Sequence, residues 1–347
     1  MFKQIKNYSF MHYINNYILF LLHTFNYLSL RKITNFIGLY SSYLFHRNLL
    51  KFNPKLRPAF ISVEPADFCQ LKCPECPVGR NGRSSGTKID SEFFRNYIDE
   101  LKRELFHVIF YFQGEPLLNR NLHQLINYAH NAKIFTSTST NAQLLNSERA
   151  KELVLSGLDK LIVSMDGTTQ EVYEQYRKGG KLIKAIEGVH NINNWKKELK
   201  SITPLVEIQF IVLKTNEHQM KEMKILAKSL KADRLVFKSA QLYDFENGND
   251  LLTSIEKYSR YKKINEGSYK VKSALPNHCS RLWSAAVISS KGDLIPCCYD
   301  KDGTHSFGNL ADRSFGSVWH SSKANEFRMS VLSNRKQHEM CRNCTGK

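Results

Sequence analysis

The eight cysteines of this 347-residue chain are the residues best suited to chemistry, and they come in two groups. The first reads Cys69-Gln70-Leu71-Lys72-Cys73-Pro74-Glu75-Cys76, a C-x3-C-x2-C spacing on one short segment. Three thiolates converging from one loop suit an iron–sulfur cluster. A four-iron cluster held by three thiolates keeps one iron without a protein ligand, and an open metal position distinguishes catalytic from structural sites. A zinc ion completed by a nearby histidine, or buried thiols without metal, would use the same residues, so spacing alone leaves all three open. The second group comprises Cys279, the adjacent Cys297 and Cys298, and the pair Cys341 and Cys344 spaced C-x2-C. A zinc ribbon competes with an iron–sulfur reading there. No compact apolar stretch followed by a small-x-small cleavage site opens the chain, which argues against disulfides.

Such thiols must be positioned by a scaffold, and the sequence supplies a regular one. Short β-rich runs recur at Ala59–Val63, His107–Phe112, Ile134–Thr140, Lys160–Met165, Val206–Leu213 and Arg234–Phe237. Amphipathic stretches separate them: Glu92–Leu105, Leu122–Ala132, Ser147–Ser156, Lys181–Trp195 and Gln219–Leu230. Strand and helix in alternation imply parallel βαβ units. Six strands are too few for an eight-fold barrel, so an open or partial barrel is expected, with chemistry at the C-terminal strand ends. Residues 246–275 are polar and rich in turn formers, and read as a connector between a core at 58–245 and a C-terminal unit at 276–347.

The order of motifs resembles the radical S-adenosylmethionine (SAM) superfamily over roughly residues 55–345. In that family a three-cysteine loop follows the first strand of a partial (β/α)6 barrel, which matches Cys69, Cys73 and Cys76. Glu75 stands where the family has an aromatic residue. Gln113-Gly114-Glu115-Pro116 is similar to the Gly-Gly-Glu-Pro element that receives the methionine amino group of SAM, with Gln113 replacing the first glycine. Ser139-Thr140-Asn141-Ala142 resembles Thr-Asn-Gly, with Ala142 for the glycine. Ser164 matches a polar residue that holds ribose, and Arg177 an arginine that holds carboxylate. The resemblance therefore implies a 4Fe-4S cluster on Cys69, Cys73 and Cys76, and SAM contacts from Gly114, Glu115, Pro116, Asn141, Ser164 and Arg177.

The second group resembles the SPASM extension of the same enzymes, in its shortened twitch form. Cys279, a hairpin (Ala286–Ser289 and Leu294–Ile295 about a Lys291-Gly292 turn), Cys297 and the closing pair Cys341 and Cys344 would hold one auxiliary 4Fe-4S cluster. Cys298 is left over: neighbouring thiols on a strand point to opposite sides, so Cys297 and Cys298 are not expected to ligate the same cluster. The implied activity is reductive cleavage of SAM to a 5′-deoxyadenosyl radical and hydrogen abstraction, giving a net oxidation of a peptide, a protein or a sugar-like alcohol. A flavodoxin- or ferredoxin-type protein would supply the electron. Two alternatives remain at this level: a non-catalytic iron–sulfur electron carrier, and a radical SAM modifier of RNA.

Composition is that of an ordinary globular protein, 42% hydrophobic and 24% charged, which excludes disordered and collagen-like classes. The formal charge is +18, and residues 1–63 hold eight Lys or Arg and no acid. That excess lies among thirteen Phe or Tyr before Pro58 rather than in an arginine-rich stripe, which argues against nucleic acid. Ile14, Tyr17, Ile18, Leu21, Leu22 and Phe25 share one helical face, and the longest apolar run there, Tyr17–Leu22, is too short to cross a bilayer. Residues 1–57 are accordingly expected to be helical, either on an anionic membrane surface or as a lid on the next domain. They lack the strand pattern of a winged-helix peptide-recognition domain. The expected compartment is the cytoplasm, with the inner membrane face as the alternative.

Overall fold

The computed structural model describes residues 23–49, 56–82 and 86–345. Six strands form the core: β1 (Phe60–Val63), β2 (His107–Phe110), β3 (Phe135–Thr140), β4 (Lys160–Ser164), β5 (Leu205–Val212) and β6 (Arg234–Ser239). All adjacent pairs run parallel in sequence order. Their register aligns the C-terminal ends, with Val63 opposite Phe110, Thr140 opposite Val163, Ser164 opposite Gln209 and Val212 opposite Ser239. The crossovers are α3 (Ser91–Leu101), α4 (Leu122–Asn131), α5 (Ser147–Leu155), α7 (Leu182–Glu198) and α8 (Met220–Ser229), while β4 and α7 are bridged by the extra helix α6 (Gln170–Tyr176). Side chains of Asp90, Asn146 and Thr169 accept from the backbone N–H of Phe93, Arg149 and Val172, fixing the starts of α3, α5 and α6. Alternate strand residues such as Ile61, Val63, Val108, Phe110, Leu161 and Val163 bury into one core with the helices' apolar faces. The fold is an α/β partial barrel.

The strands outside the six-strand core form an extension of its sheet and a separate hairpin. The C-terminal hairpin, β9 (Ala285–Ile288) and β10 (Asp293–Ile295), turns at Gly292, whose φ of 88° suits glycine. Rather than standing apart, β9 pairs parallel with β1, and β10 continues to β11 (Gly308–Asn309), giving one nine-stranded sheet. The pairing satisfies the otherwise open edge of β1. The stretch read as a connector also contains an antiparallel hairpin, β7 (Tyr261–Asn265) and β8 (Ser268–Val271). β7 is exposed after Tyr261, and the Tyr269 and Val271 alternation of β8 spans only four residues, too short for sequence patterning to register. The C-terminal unit closes with α9 (Arg281–Ser284), which precedes β9, and with α10 (Phe315–Trp319), α11 (Ser322–Asn334) and α12 (Glu339–Arg342).

The N-terminal segment packs against the barrel. Buried Tyr27 donates to Asp159 Oδ1 at 2.5 Å, His23 Nε2 sits 2.5 Å from the same oxygen, and Thr136 donates to Oδ2 through both its N–H and its hydroxyl. These groups lie at the N-terminal ends of β3 and β4, opposite the expected chemistry. The helix α1 (Leu30–Leu49) then runs on with an unusual inner face of Lys32, Asn35, Leu39, Ser42 and Tyr43. Lys32 Nζ donates to the Lys133 carbonyl, Asn35 exchanges hydrogen bonds with the Arg57 backbone, and Tyr43 meets Trp283 edge-on at 5.4 Å. His23, Tyr27, Lys32, Asn35 and Tyr43 thus pack this segment against the barrel and the C-terminal unit. The residues proposed for a membrane-surface helix before His23 lie outside the described residues. Among the described residues, no helix is long and apolar enough to cross a membrane.

Candidate functional site

A cavity of about 390 Å3 opens at the C-terminal strand ends. Cys69, Cys73 and Cys76 line it, together with Gly114, Glu115, Asn141, Ser164 and Arg177. Pro116 does not; it opens the buried turn Pro116–Leu118 behind Glu115. The cysteine loop leaves β1 directly and passes into the short helix α2 (Pro77–Asn81), with Cys76 immediately before it. A Cβ at Gly79 would fall 2.5 Å from the Cys73 carbonyl oxygen, and one at Gly114 only 2.0 Å from that of Ala66. Both contacts are with backbone, so only glycine lets these segments approach.

Glu115 is buried and already has three donors: the N–H of Leu117 at 3.1 Å, the Thr140 hydroxyl at 2.6 Å and the N–H of Asn141 at 2.9 Å. Burial raises its pKa against these bonds. A carboxylate has about four acceptor positions, so capacity for one further donor such as an ammonium remains. Asn141 Nδ2 donates to Cys69 Sγ at 3.4 Å, tying the end of β3 to the cysteine loop. Arg177 is less free than the sequence implies. Its Nε donates to buried Asp166 at 2.6 Å and its Nη1 lies 3.9 Å from Cys73 Sγ, so only part of its fork is open to a carboxylate. Ser164, the last residue of β4, reaches the cavity wall.

The departures from the family pattern acquire structural reasons. Glu75 accepts from the Tyr243 N–H at 2.8 Å and Asn249 Nδ2 at 3.3 Å, and neighbouring Arg80 pairs with Asp244 at 3.2 Å. The cysteine loop is thereby stitched to the segment after β6. Gln113 Nε2 donates to the Lys301 carbonyl, bridging the barrel to the C-terminal unit. Ala142 keeps the left-handed backbone of the glycine it replaces, with φ at 60°. Asp166 and Asn249 were not singled out by sequence, since an acid after a strand and an amide in a presumed connector carry no motif; Glu75 was noted only as a departure, without these partners.

The four remaining expected ligands, Cys279, Cys297, Cys341 and Cys344, line a second cavity of about 330 Å3. Its wall includes Tyr40, Tyr43 and Leu44 of α1. Buried Arg335 donates to Cys344 Sγ at 3.2 Å and to the His278 carbonyl at 3.0 Å. Cys298 does not line this cavity, but the alternation argument fails. The strand β10 ends at Ile295, and Cys297 and Cys298 sit in the turn beyond it, sharing a hydrogen bond. Cys298 is pushed down by that bond and by Lys301 and Arg281, whose Nη1 lies 3.7 Å away.

Burial pushes the Cys69 thiol up to about 12 and also raises Cys73, Cys279 and Cys341. Buried thiols gathered around a polar cavity become thiolates when a metal centre takes them, as iron–sulfur binding requires. Among the described residues, no three His, Cys, Asp or Glu close around a single ion. The two cysteine sets instead ring cavities, a donor set suited to multi-iron clusters.

An open parallel barrel with a three-cysteine loop after its first strand, and a four-cysteine cavity beyond its last, defines a radical SAM protein with an auxiliary-cluster domain. The comparisons agree. Residues 63–224 match the radical SAM superfamily and residues 279–345 match SPASM, an iron–sulfur cluster-binding domain, and the chain belongs to the proteins that combine the two. It is 24% identical over 261 residues to PqqA peptide cyclase of Bradyrhizobium diazoefficiens, covering 69% of this chain and 66% of the relative, just under two thirds of its length. The structure is similar to Streptococcus suis SuiB bound to precursor peptide SuiA, with 17% identity, TM-score 0.60, and coverage of 87% and 72%. It also resembles BtrN in complex with AdoMet and 2-DOIA, with 19% identity, TM-score 0.50, and coverage of 83% and 93%. Those two likenesses concern the fold. The cofactors of this class are a 4Fe-4S cluster with SAM in the first domain and auxiliary iron–sulfur in the second.

Proposed function

We propose that this protein is a radical SAM enzyme that carries out a net oxidation on a peptide or on a sugar-like alcohol. When bound, the cluster and SAM supply a radical that removes hydrogen from an unactivated carbon, and the auxiliary cluster accepts the electron left on the substrate. The chain's own residues hold and shield these groups. Cys69, Cys73 and Cys76 are the ligands on the open side; Glu115 takes the methionine ammonium with its last acceptor position, Ser164 the ribose, and the free part of Arg177 the carboxylate. Asn141 and Arg177 also donate to ligand sulfurs, which tunes the cluster from outside its ligand shell. Cys279, Cys297, Cys341 and Cys344 supply four thiolates and leave no open position. The observation that carries the reading is the contrast between three thiols on the strand-end cavity and four on the second cavity. The peptide option draws on the relative named as a peptide cyclase; a flavodoxin- or ferredoxin-type donor is the reductant.

The test is anaerobic. Protein loaded with iron and sulfide should carry roughly eight irons per chain. With a strong reductant it should convert SAM to methionine and 5′-deoxyadenosine. Iron-free material, or loaded material inert toward SAM, overturns the assignment; oxidised product formed by a protein with no auxiliary iron overturns the oxidative part.

A second reading concerns location, and one observation favours it. The outer face of α1 is apolar: Leu30, Ile33, Phe36 and Ile37 are exposed, while Lys32 and Asn35 face inward. Beside a stretch with no acid in residues 1–63, this inverted helix fits an anionic lipid surface. Vesicles with phosphatidylserine should sediment the holoprotein in low salt, neutral vesicles should not, and Ile37→Asp should release it. Equal binding to both lipids, retention of the variant, or preference for RNA overturns the location.

A further inference from the structure

The strand-end cavity is lined by six formally charged side chains of Glu, Lys and Arg type, two acids and four cations. The two acids are already engaged: Glu115 has its three internal donors, and Glu75 holds Tyr243 N–H and Asn249 Nδ2. Among the cations, Arg177 is tied to Asp166. The other three, Lys238, Arg260 and Lys301, come from three separate places: the end of β6, the residue before β7, and the turn after β10.

Each is placed by the fold. Lys238 stands next to the last residue of β6 with its side chain exposed and, among the described residues, no ion pair. Lys301 has its backbone fixed by Gln113, and its ammonium lies over the Phe112 ring, 5.2 Å from the centroid. Arg260 is oriented by a bond from Nη1 to the Tyr299 hydroxyl at 2.9 Å, while its Nε is shut off from solvent and has no acceptor. The buried Nε is out of a ligand's reach, so the guanidinium, which lines the cavity, meets carboxylate or phosphate oxygens through its outer nitrogens. The neutral neighbours Gln209, Gln241 and Ser239 can donate to the same kind of group.

We propose that Lys238, Arg260 and Lys301 form an anion subsite, which takes a carboxylate or phosphate group carried by the substrate. The inference rests on the cavity being the place of radical chemistry, and it deepens that reading by giving the substrate a negative charge. It also accounts for the Gln113 bridge. That bond fixes the loop bearing Lys301, so the C-terminal unit contributes directly to the barrel cavity.

The experiment titrates iron-loaded, SAM-saturated protein by calorimetry with inorganic phosphate and, separately, with the dipeptide Glu-Glu. At least one probe should bind while SAM remains bound, more weakly as salt rises. Arg260→Gln should weaken that binding tenfold or more, and Lys238→Gln several-fold. Tighter phosphate binding assigns a phosphorylated substrate, and tighter dipeptide binding an acidic peptide. If Arg260→Gln does not fold, the exposed Lys238 decides alone. Failure of both probes, undiminished binding by the variants, or displacement of SAM by the probe overturns the subsite. Should the unsubstituted protein fail to hold iron or SAM, the enzyme reading itself fails, and the two outcomes are distinct.

Discussion

The two cysteine sites are built in opposite ways. The first takes three thiols from eight consecutive residues on one loop, and its open side faces a cavity at the strand ends. The second draws four thiols from positions 279 to 344, spread over a helix start, a turn after a strand and a final helix, and α1 walls it from outside. A local loop can leave a coordination position open, because nothing else needs to converge there. A centre assembled from distant segments tends toward closure, since every converging element adds a ligand or a shield. The first arrangement suits direct chemistry on a bound small molecule; the second suits electron transfer.

That contrast can be broken most directly by removing one thiol from each site. Cys73→Ala should abolish SAM cleavage altogether and remove roughly half of the iron, as one of two four-iron clusters is lost. Cys341→Ala should keep uncoupled release of 5′-deoxyadenosine, measured by chromatography, while product falls to background. Normal product from the second variant would remove the functional difference between the sites. Next in size, Gly114→Ala should weaken SAM binding at least tenfold, because the new methyl cannot coexist with the Ala66 carbonyl oxygen 2.0 Å away. Equilibrium dialysis with labelled SAM reads it, with the auxiliary iron content unchanged.

Acid should loosen both regions. His107 on β2 and His320 after α10 are each held down at about 4 by burial. Their unfolded values lie near 6.5, so below that pH the unfolded chain binds protons that the folded chain refuses. Stability is complete above pH ~6.5 and declines as pH falls toward ~4, by at most about 3 kcal/mol for His107 and less for the more hydrated His320. Urea midpoints at pH 7.5 and 4.5 check this, and His107→Asn should flatten the barrel's share. The smallest effect belongs to Ala142, where relief of left-handed strain, about 1 kcal/mol, opposes loss of a buried methyl worth about 0.8 kcal/mol. Ala142→Gly should therefore shift the melting temperature by only a few degrees.

Much of the barrel was legible in the chain because its evidence is local. Alternation of β-branched runs with amphipathic stretches placed all six core strands to within two residues at each end, and five of the crossover helices to within four. The helix Gln170–Tyr176 escaped notice because seven residues hold too few turns for periodicity to register. The hairpin Tyr261–Val271 escaped because β7 is mostly exposed and the alternation of β8 runs for only four residues. At the site, every expected residue except Pro116 lies on the cavity it was assigned to. What each is doing there was less legible: Arg177 is largely committed to Asp166, and Glu115 mostly to backbone and Thr140 donors.

The order of motifs along the chain was enough to determine the class of protein, the parallel partial barrel and the two thiol groups, since spacing within a loop and periodicity within an element are properties of neighbours. Only the folded chain decided that β9 extends the barrel sheet beside β1, that α1 buries a lysine and presents an apolar face outward, and that Lys238, Arg260 and Lys301 meet in one cavity. Those pairings join residues tens to hundreds of positions apart. They are settled by which edges and charges are left unsatisfied once the local elements have formed, a balance that no single stretch of sequence contains.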